Sequence, residues 1–119
     1  MLDLGDWMQP LRRYRFRLFA NPTVSRDGKR YGLASEVDQL AWLSRQGERH
    51  GFELESAVVM ASDMLKTHKR DIGISLQRAC YEGVLAAADI ARLVAAVEGG
   101  IGPGKAFGFG LLSLAEIRH

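Results

Sequence analysis

The order in which strand-like and helix-like patterns follow one another most strongly constrains the fold of this 119-residue chain. Residues 13–20 read RYRFRLFA, where apolar and basic side chains alternate as in a strand with one buried face. The predicted inward residues are Tyr14, Phe16, Leu18 and Ala20, and the predicted outward residues are Arg13, Arg15, Arg17 and Phe19. Pro22 and the segment SRDGKRYG, residues 25–32, then predict a loop.

Two helical patterns flank a pair of strand-like runs. Ser35 is predicted to cap a helix that ends at Gly51. Runs at about residues 52–65 and 72–85 surround KTHKRD, which predicts an antiparallel hairpin with a basic tip. Asp89 is predicted to cap a second helix. Its predicted apolar stripe is Ile90, Leu93, Val94 and Val97. The last strand is predicted within FGFGLLSLAEIR, residues 107–118.

This β-α-β-β-α-β order predicts an α+β, ferredoxin-like (RRM-like) fold, with an antiparallel sheet and two helices on one face. We expect residues 12–119 to form one such domain. Residues 1–11 show no periodicity, and we interpret them as a linker or as the tail of a missing N-terminal domain.

Composition limits the classes of function. The net charge of +2 is too small to indicate nucleic acid by itself. Three histidines and one cysteine give no credible zinc cluster, so we expect no metal and no cofactor. The lone Cys80 fits a reducing compartment, and the first ten residues do not resemble a secretory signal. No apolar run is long enough to span a bilayer, so we expect a cytoplasmic protein without membrane contact.

The glycine-rich stretch GGIGPGKAFGFGLL, residues 99–112, has three interpretations. A nucleotide-binding P-loop fits GxxxxGK, but here a helix precedes the loop and a strand follows, the reverse of that motif. KAFGF approximates an RRM signature, but it leads into the fourth strand rather than lying on the third. The third interpretation is a loop that holds an anionic backbone through bare N–H groups and Lys105.

The sequence GIGPGKAFGFGLLSL resembles the C-terminal signature of the CasE-type CRISPR endoribonucleases, members of the Cas-six superfamily. FRLFANPTVSRDGKRYG, WLSRQGERHGF and YEGVLAAADIARLV are also similar to segments of that family, in the same order. The resemblance covers about residues 14–117. It implies a protein of two ferredoxin-like domains, of which this chain is the C-terminal one.

The family's activity is metal-independent cleavage of CRISPR precursor RNA, in which a 2′-hydroxyl attacks the adjacent phosphorus and leaves a 2′,3′-cyclic phosphate. Its catalytic histidine lies in an early helix of the first domain, a segment that this sequence lacks. We therefore expect the chain alone to be inactive. His50 matches the second-domain pattern GERHGF and is not assigned as the catalyst.

Lys105 is the predicted supporting catalytic residue, because an ammonium group can stabilise charge on the scissile phosphate. The other predicted RNA contacts are basic side chains and loop glycines: Arg13, Arg15, Arg17, Lys29, Arg30, Lys66, Lys69, Arg70, Gly100, Gly102 and Gly104. The partners implied by the resemblance are the CRISPR repeat RNA hairpin, the missing N-terminal domain and the other Cascade subunits. The alternatives are a non-catalytic RNA-binding module and a regulatory domain that binds a small molecule.

Overall fold

The computed structural model describes residues 12–69, 72–105 and 108–117. Its elements follow the predicted order with one additional hairpin. They are β1 (Arg13–Ala20), β2 (Thr23–Arg26), β3 (Lys29–Gly32), α1 (Glu36–His50), β4 (Phe52–Lys69), β5 (Ile72–Ala87), α2 (Ile90–Gly99) and β6 (Leu111–Glu116). Four strands form an antiparallel sheet in the order β4-β5-β1-β6, and β2 pairs only with β3. The sheet order and the two helices confirm the ferredoxin-like prediction.

Strand β1 separates the two faces of the sheet as its alternation predicts. Phe16, Leu18 and Ala20 are buried, whereas Arg15 and Arg17, which alternate with them along the strand, are exposed. Facing inward from β5 is Tyr81, whose hydroxyl donates to the backbone oxygen of Gln39 in α1 at 2.9 Å. The helices therefore cover the Phe16 face, and the arginine face is left open.

Both helices begin at the predicted capping residues, and α1 also ends at the predicted Gly51. The Ser35 hydroxyl accepts the Asp38 N–H at 3.1 Å, and Gly51 ends α1 with a φ of 77°. The Asp89 carboxylate accepts the Arg92 N–H at 3.2 Å. Trp42 of α1 is 3% exposed and stacks on Tyr81 with a centroid distance of 6.2 Å.

The apolar stripe predicted on α2 is partly wrong. Leu93 is buried, but Ile90, Val94 and Val97 are exposed, and Ala96 is the second residue that α2 buries. The face of α2 that is buried against the core therefore carries Leu93 and Ala96 and differs from the predicted stripe. The exposed side of α2 borders a groove of about 420 Å³ beside β6.

The segment predicted as a loop after Pro22 is a two-stranded hairpin instead. Strands β2 and β3 pair from Thr23–Gly32 to Arg26–Lys29, and the turn between them is Asp27-Gly28. Both turn residues have positive φ, 50° and 75°, as a tight hairpin turn requires. Lys29 and Arg30 therefore lie on a strand and not in a loop.

The β4–β5 hairpin is longer than predicted and projects beyond the sheet. The last β5 residue paired with β1 is Ala79, yet β5 continues to pair with β4 as far as Ile72 opposite Lys69. Residues 63–69 of β4 thus extend the ribbon by about 24 Å at roughly 3.4 Å per residue, consistent with a longest molecular dimension of 59 Å. Lys66 and Lys69 belong to β4 rather than to the connecting turn.

Two further features complete the fold. Strand β6 begins at Leu111, because residues 108–110 form a turn, and Phe107 at the start of the predicted strand lies outside the described residues. Two irregularities in β4, between Leu54 and Ser56 and between Val59 and Ala61, add an extra residue to that strand at each point.

Among the described residues, neither helix has the length and hydropathy needed to traverse a lipid bilayer.

Gly83 provides a test of the first irregularity in β4. A Cβ at this position would overlap the Ser56 carbonyl oxygen and approach the Ala57 Cα to 2.8 Å. We expect Gly83→Ala to lower the free energy of unfolding by about 2–3 kcal/mol, measured by urea denaturation. Gly99→Ala is the matched control, since its Cβ would meet no atom within 4 Å, and it should change stability by less than about 0.5 kcal/mol. Equal stabilities of the two variants would contradict this packing.

Candidate functional site

The open face of the sheet carries the predicted arginine row, but much of its charge is neutralised. Arg13 forms an ion pair with Glu55, the extra residue of the first β4 irregularity. Arg17 forms an ion pair with Glu82, the residue opposite it on β5, with 3.3 Å between the Arg17 Nε and the Glu82 Oε1. In the described part of the chain, Arg15 has no carboxylate within 4.0 Å, so it is the member of the row best able to meet an anion.

Arg15 and Arg17 line a shallow groove of about 250 Å³ along the open face. Its other wall includes Ser113 and Ala115 of β6, the strand that pairs with β1 on this side. The groove offers guanidinium donors and a hydroxyl without helix cover, and the Glu82 carboxylate that also lines it is paired with Arg17, which leaves Arg15 as its uncompensated charge among the described residues. This arrangement suits a phosphate group better than an apolar ligand.

At the base of the projecting hairpin, Arg78 of β5 lies opposite Asp63 of β4. The guanidinium donates two hydrogen bonds to the two carboxylate oxygens, at 2.7 and 2.6 Å. The hydrogen bond from Arg78 lowers the pKa of the Asp63 carboxyl and raises the pKa of Arg78. The pair therefore stays doubly ionised across the physiological pH range. Farther out, Lys66 is exposed, Lys69 ends β4, and the predicted contact Arg70 lies outside the described residues.

The glycine-rich segment forms a compact loop between α2 and β6. Gly100, Gly102 and Gly104 have φ values of 84°, 79° and 84°, which favour glycine. A Cβ at Gly102 would lie 2.8 Å from the Trp42 ring. A Cβ at Gly104 would lie 2.7 Å from the Phe109 ring. These two glycines therefore let the loop pack against buried aromatic side chains.

Many of the loop N–H groups donate to acceptors within the protein. The Gly100 N–H donates to the Ala96 oxygen at the end of α2, at 2.8 Å. The N–H groups of Ile101, Gly108, Phe109 and Gly110 also donate to backbone oxygens. Within the described residues, the N–H groups of Gly102 and Gly104 have no acceptor. The Gly100 N–H is therefore used to end α2. Contact of Gly100, Gly102 and Gly104 with RNA stays a prediction.

Lys105 is exposed where the loop turns, and its aliphatic chain passes close to Gly100. With Gly100, Gly108 and Leu111 it lines a concavity of about 300 Å³. Burial lowers the pKa of His50, and the positive charges of Arg49 and Lys105 lower it further. A histidine in these surroundings is mainly neutral near pH 7.

The structure does not bring all the predicted contacts together. Gly32 of β3 packs against Gln77 of β5, whose amide also reaches Ser62 on the helix-covered side. The β2–β3 hairpin with Lys29 and Arg30 is thus joined to the side of the sheet opposite the arginine row. Its contacts with RNA stay a prediction.

One feature of the open face was missed from the sequence, the Arg78–Asp63 pair. Phe19 lies on the predicted outward face, but its ring was given no function. Arg78, Cys80 and Glu82 alternate along β5 as Arg13, Arg15 and Arg17 do along β1, and this pattern was the available signal. The pairing with Asp63 depends on the hairpin register. Across the described ranges, His, Cys, Asp and Glu side chains form no group of three that could hold a metal ion.

Comparison with known proteins gives a consistent result. The family model described as "CRISPR associated protein" matches residues 3–116. CRISPR-associated endoribonuclease Cse3 of Thermus thermophilus is 34% identical over 122 residues, covering 91% of this chain and 58% of the relative. CRISPR system Cascade subunit CasE of Escherichia coli K12 is also 34% identical, covering 86% and 57%. The chain thus spans somewhat over half the length of these relatives.

A solved structure of Cse3 bound to a 19-nucleotide RNA superposes on the chain with a TM-score of 0.82 at 36% identity. The superposition covers 90% of this chain and 57% of the other. The similarity therefore extends from the sequence to the three-dimensional arrangement of 90% of this chain.

The electrostatic link between Lys105 and His50 can be tested by titration. We expect the His50 imidazole to titrate below its ordinary pKa of 6.5, measured by NMR chemical shift against pH. Lys105→Met should raise that pKa because it removes a positive charge that opposes protonation. Lys29→Met, in the separate β2–β3 hairpin, should leave it unchanged. A His50 pKa that is the same in the wild type and Lys105→Met would contradict the loop placement.

Proposed function

Because this chain belongs to the CRISPR associated protein family, we propose that it is the C-terminal, RNA-binding part of an endoribonuclease that processes CRISPR precursor RNA. Its relatives carry the names of a CRISPR endoribonuclease and a Cascade subunit, and one of them has been solved with RNA bound. We extend that substrate class to this chain and assign it a repeat RNA hairpin. We also assign it the other Cascade subunits as partners.

The observation that carries the proposal is a helix-free sheet face that runs into a projecting β-ribbon. The face carries Arg15 without a carboxylate partner in the described residues, and the ribbon carries exposed Lys66. Double-stranded RNA is recognised mostly through its backbone and shape, since side chains cannot read its deep major groove. An extended ribbon with lysines suits that form of recognition, and the neighbouring sheet face can receive the flanking phosphates.

Lys105 is proposed to support cleavage rather than to perform it. In the transition state, negative charge grows on the non-bridging phosphoryl oxygens, and a nearby ammonium stabilises that charge. The glycine loop fixes the backbone next to Lys105 by packing on Trp42 and Phe109. The required general base is proposed to belong to another ferredoxin-like domain, the first of the two in the complete enzyme. Such a domain agrees with the coverage of 58% of the Cse3 relative.

We also propose that residues 12–119 form the second of the two domains and that residues 1–11 link it to the first. The processing role implies work in the cytoplasm, where precursor RNA is made. The free buried thiol of Cys80 fits this reducing compartment.

The proposed phosphate contact of Lys105 predicts a specific salt dependence. For a stem-loop RNA titrated at several salt concentrations, Lys105→Ala should weaken binding and reduce the slope of log K against log[salt] by about one. Lys105→Arg keeps the charge and should keep the slope. Arg45→Ala on the helix-covered side is the matched control and should bind as the wild type does. A wild-type slope in Lys105→Ala would remove Lys105 from the interface.

The domain assignment predicts binding without cleavage. The 119-residue chain, incubated with a repeat stem-loop RNA in EDTA, should leave the RNA intact on a denaturing gel. No cleavage is expected because the general base is assigned to the first domain and not to residues 12–119. The complete enzyme should release a 2′,3′-cyclic phosphate under the same conditions. Cleavage by the chain alone, abolished by His50→Ala, would instead place the general base within this domain.

A further inference from the structure

A second cavity lies on the open face, between the base of the projecting hairpin and the glycine-rich loop. Its volume is about 380 Å³, within the range of roughly 300–1,000 Å³ that small-molecule pockets occupy. The residues that line it come from β1, β4, β5 and the loop: Phe19, Ala61, Asp63, Arg78, Ala79, Cys80, Gly108 and Phe109. The side chains proposed to contact phosphates, Arg15, Lys66 and Lys105, do not line this cavity.

One wall of the cavity is aromatic and firmly positioned. Phe19 is 44% exposed although it lies on the central strand β1. The Gly110 N–H donates to the Phe19 carbonyl oxygen at 2.6 Å, which ties the loop residue Phe109 to the same place. The Arg17 guanidinium lies 5.6 Å from the centre of the Phe19 ring and restrains it further. A planar group entering the cavity therefore meets a preformed apolar surface.

The opposite wall is polar and carries no net charge, because the Asp63 carboxylate is paired with the Arg78 guanidinium. It therefore offers an RNA phosphate no excess positive charge, whereas the Asp63 oxygens can still accept hydrogen bonds from N–H groups. Arg78 stands beside it with further guanidinium donors. A carboxylate next to a guanidinium complements a group that carries both N–H donors and ring acceptors on one edge. Among the parts of an RNA, that description fits the edge of a nucleobase.

We propose that this cavity binds one unpaired nucleobase next to the RNA stem, with the base against Phe19 and its polar edge toward Asp63 and Arg78. The inference rests on the proposed RNA-binding function and adds a specific subsite to it. Bases within a stem are stacked and paired, so only an unpaired nucleotide can present its face to an aromatic ring. The cavity lies between the ribbon and Lys105, where the strand would leave the stem.

The test combines a protein variant with an RNA that lacks a base. Wild-type chain and Phe19→Leu are titrated with a stem-loop RNA with single-stranded flanks and with versions in which one flanking nucleotide after another is abasic. Phe19→Leu keeps an apolar side chain at an exposed position, so its folding is checked only by circular dichroism. Val94→Ala, on the opposite side of the molecule, is the control.

We expect one abasic position to weaken wild-type binding by roughly 5- to 100-fold, as stacking of one base contributes. Phe19→Leu should bind the intact RNA less tightly and should be insensitive to the same abasic position. If the chain binds RNA but every abasic flank binds as the intact RNA does, the nucleobase site is wrong and the proposed function stands. If Phe19→Leu loses equal affinity for intact and abasic RNA, the site is also wrong. If no RNA binds, the proposed function itself fails.

Discussion

The central position of β1 is the constraint on which the rest of the structure depends. This strand pairs with β5 along its whole length and with β6 from Tyr14 to Phe19, so it lies between two hydrogen-bonded neighbours in the sheet. Its alternation then assigns the two faces: Phe16 and Leu18 require cover, and Arg15 and Arg17 require water or an anion. The helices cover the first face. The second is therefore left without helix cover, and it is the face to which the proposed function assigns the RNA.

The glycine-rich loop gains its role from packing more than from bare N–H groups. Gly102 and Gly104 allow the backbone to approach the rings of Trp42 and Phe109, and several neighbouring amides are used by helix and strand ends. This packing gives Lys105 a fixed base on an exposed turn. A loop that bound an anion only through free amides would lack that support, because its backbone would be ordered only when the anion was present.

Ion pairs distribute charge over the open face in a way that the net charge of +2 does not reveal. Arg13, Arg17 and Arg78 each have a carboxylate neighbour, and Arg15 has none within the described residues. Exposed pairs of this kind contribute little to stability. Their effect is to separate a part of the face suited to phosphate, around Arg15, from a part suited to a neutral group with donors and acceptors, around Asp63.

The sequence by itself determined the features that depend on local hydrogen bonds and periodicity: the caps at Ser35, Gly51 and Asp89, the two faces of β1 and the order of the elements. The Asp27-Gly28 turn was also a local signal, although it was not used. Only the tertiary structure decided which side of α2 is buried, since Val94 and Ala96 are both apolar and the rotation of the helix selects between them. It also decided the pairing of Asp63 with Arg78 and the cavity beside Phe19. The pair and the cavity both depend on the register of β4 against β5. Two extra residues in β4 shift that register, and the sequence of one strand alone does not show where they fall.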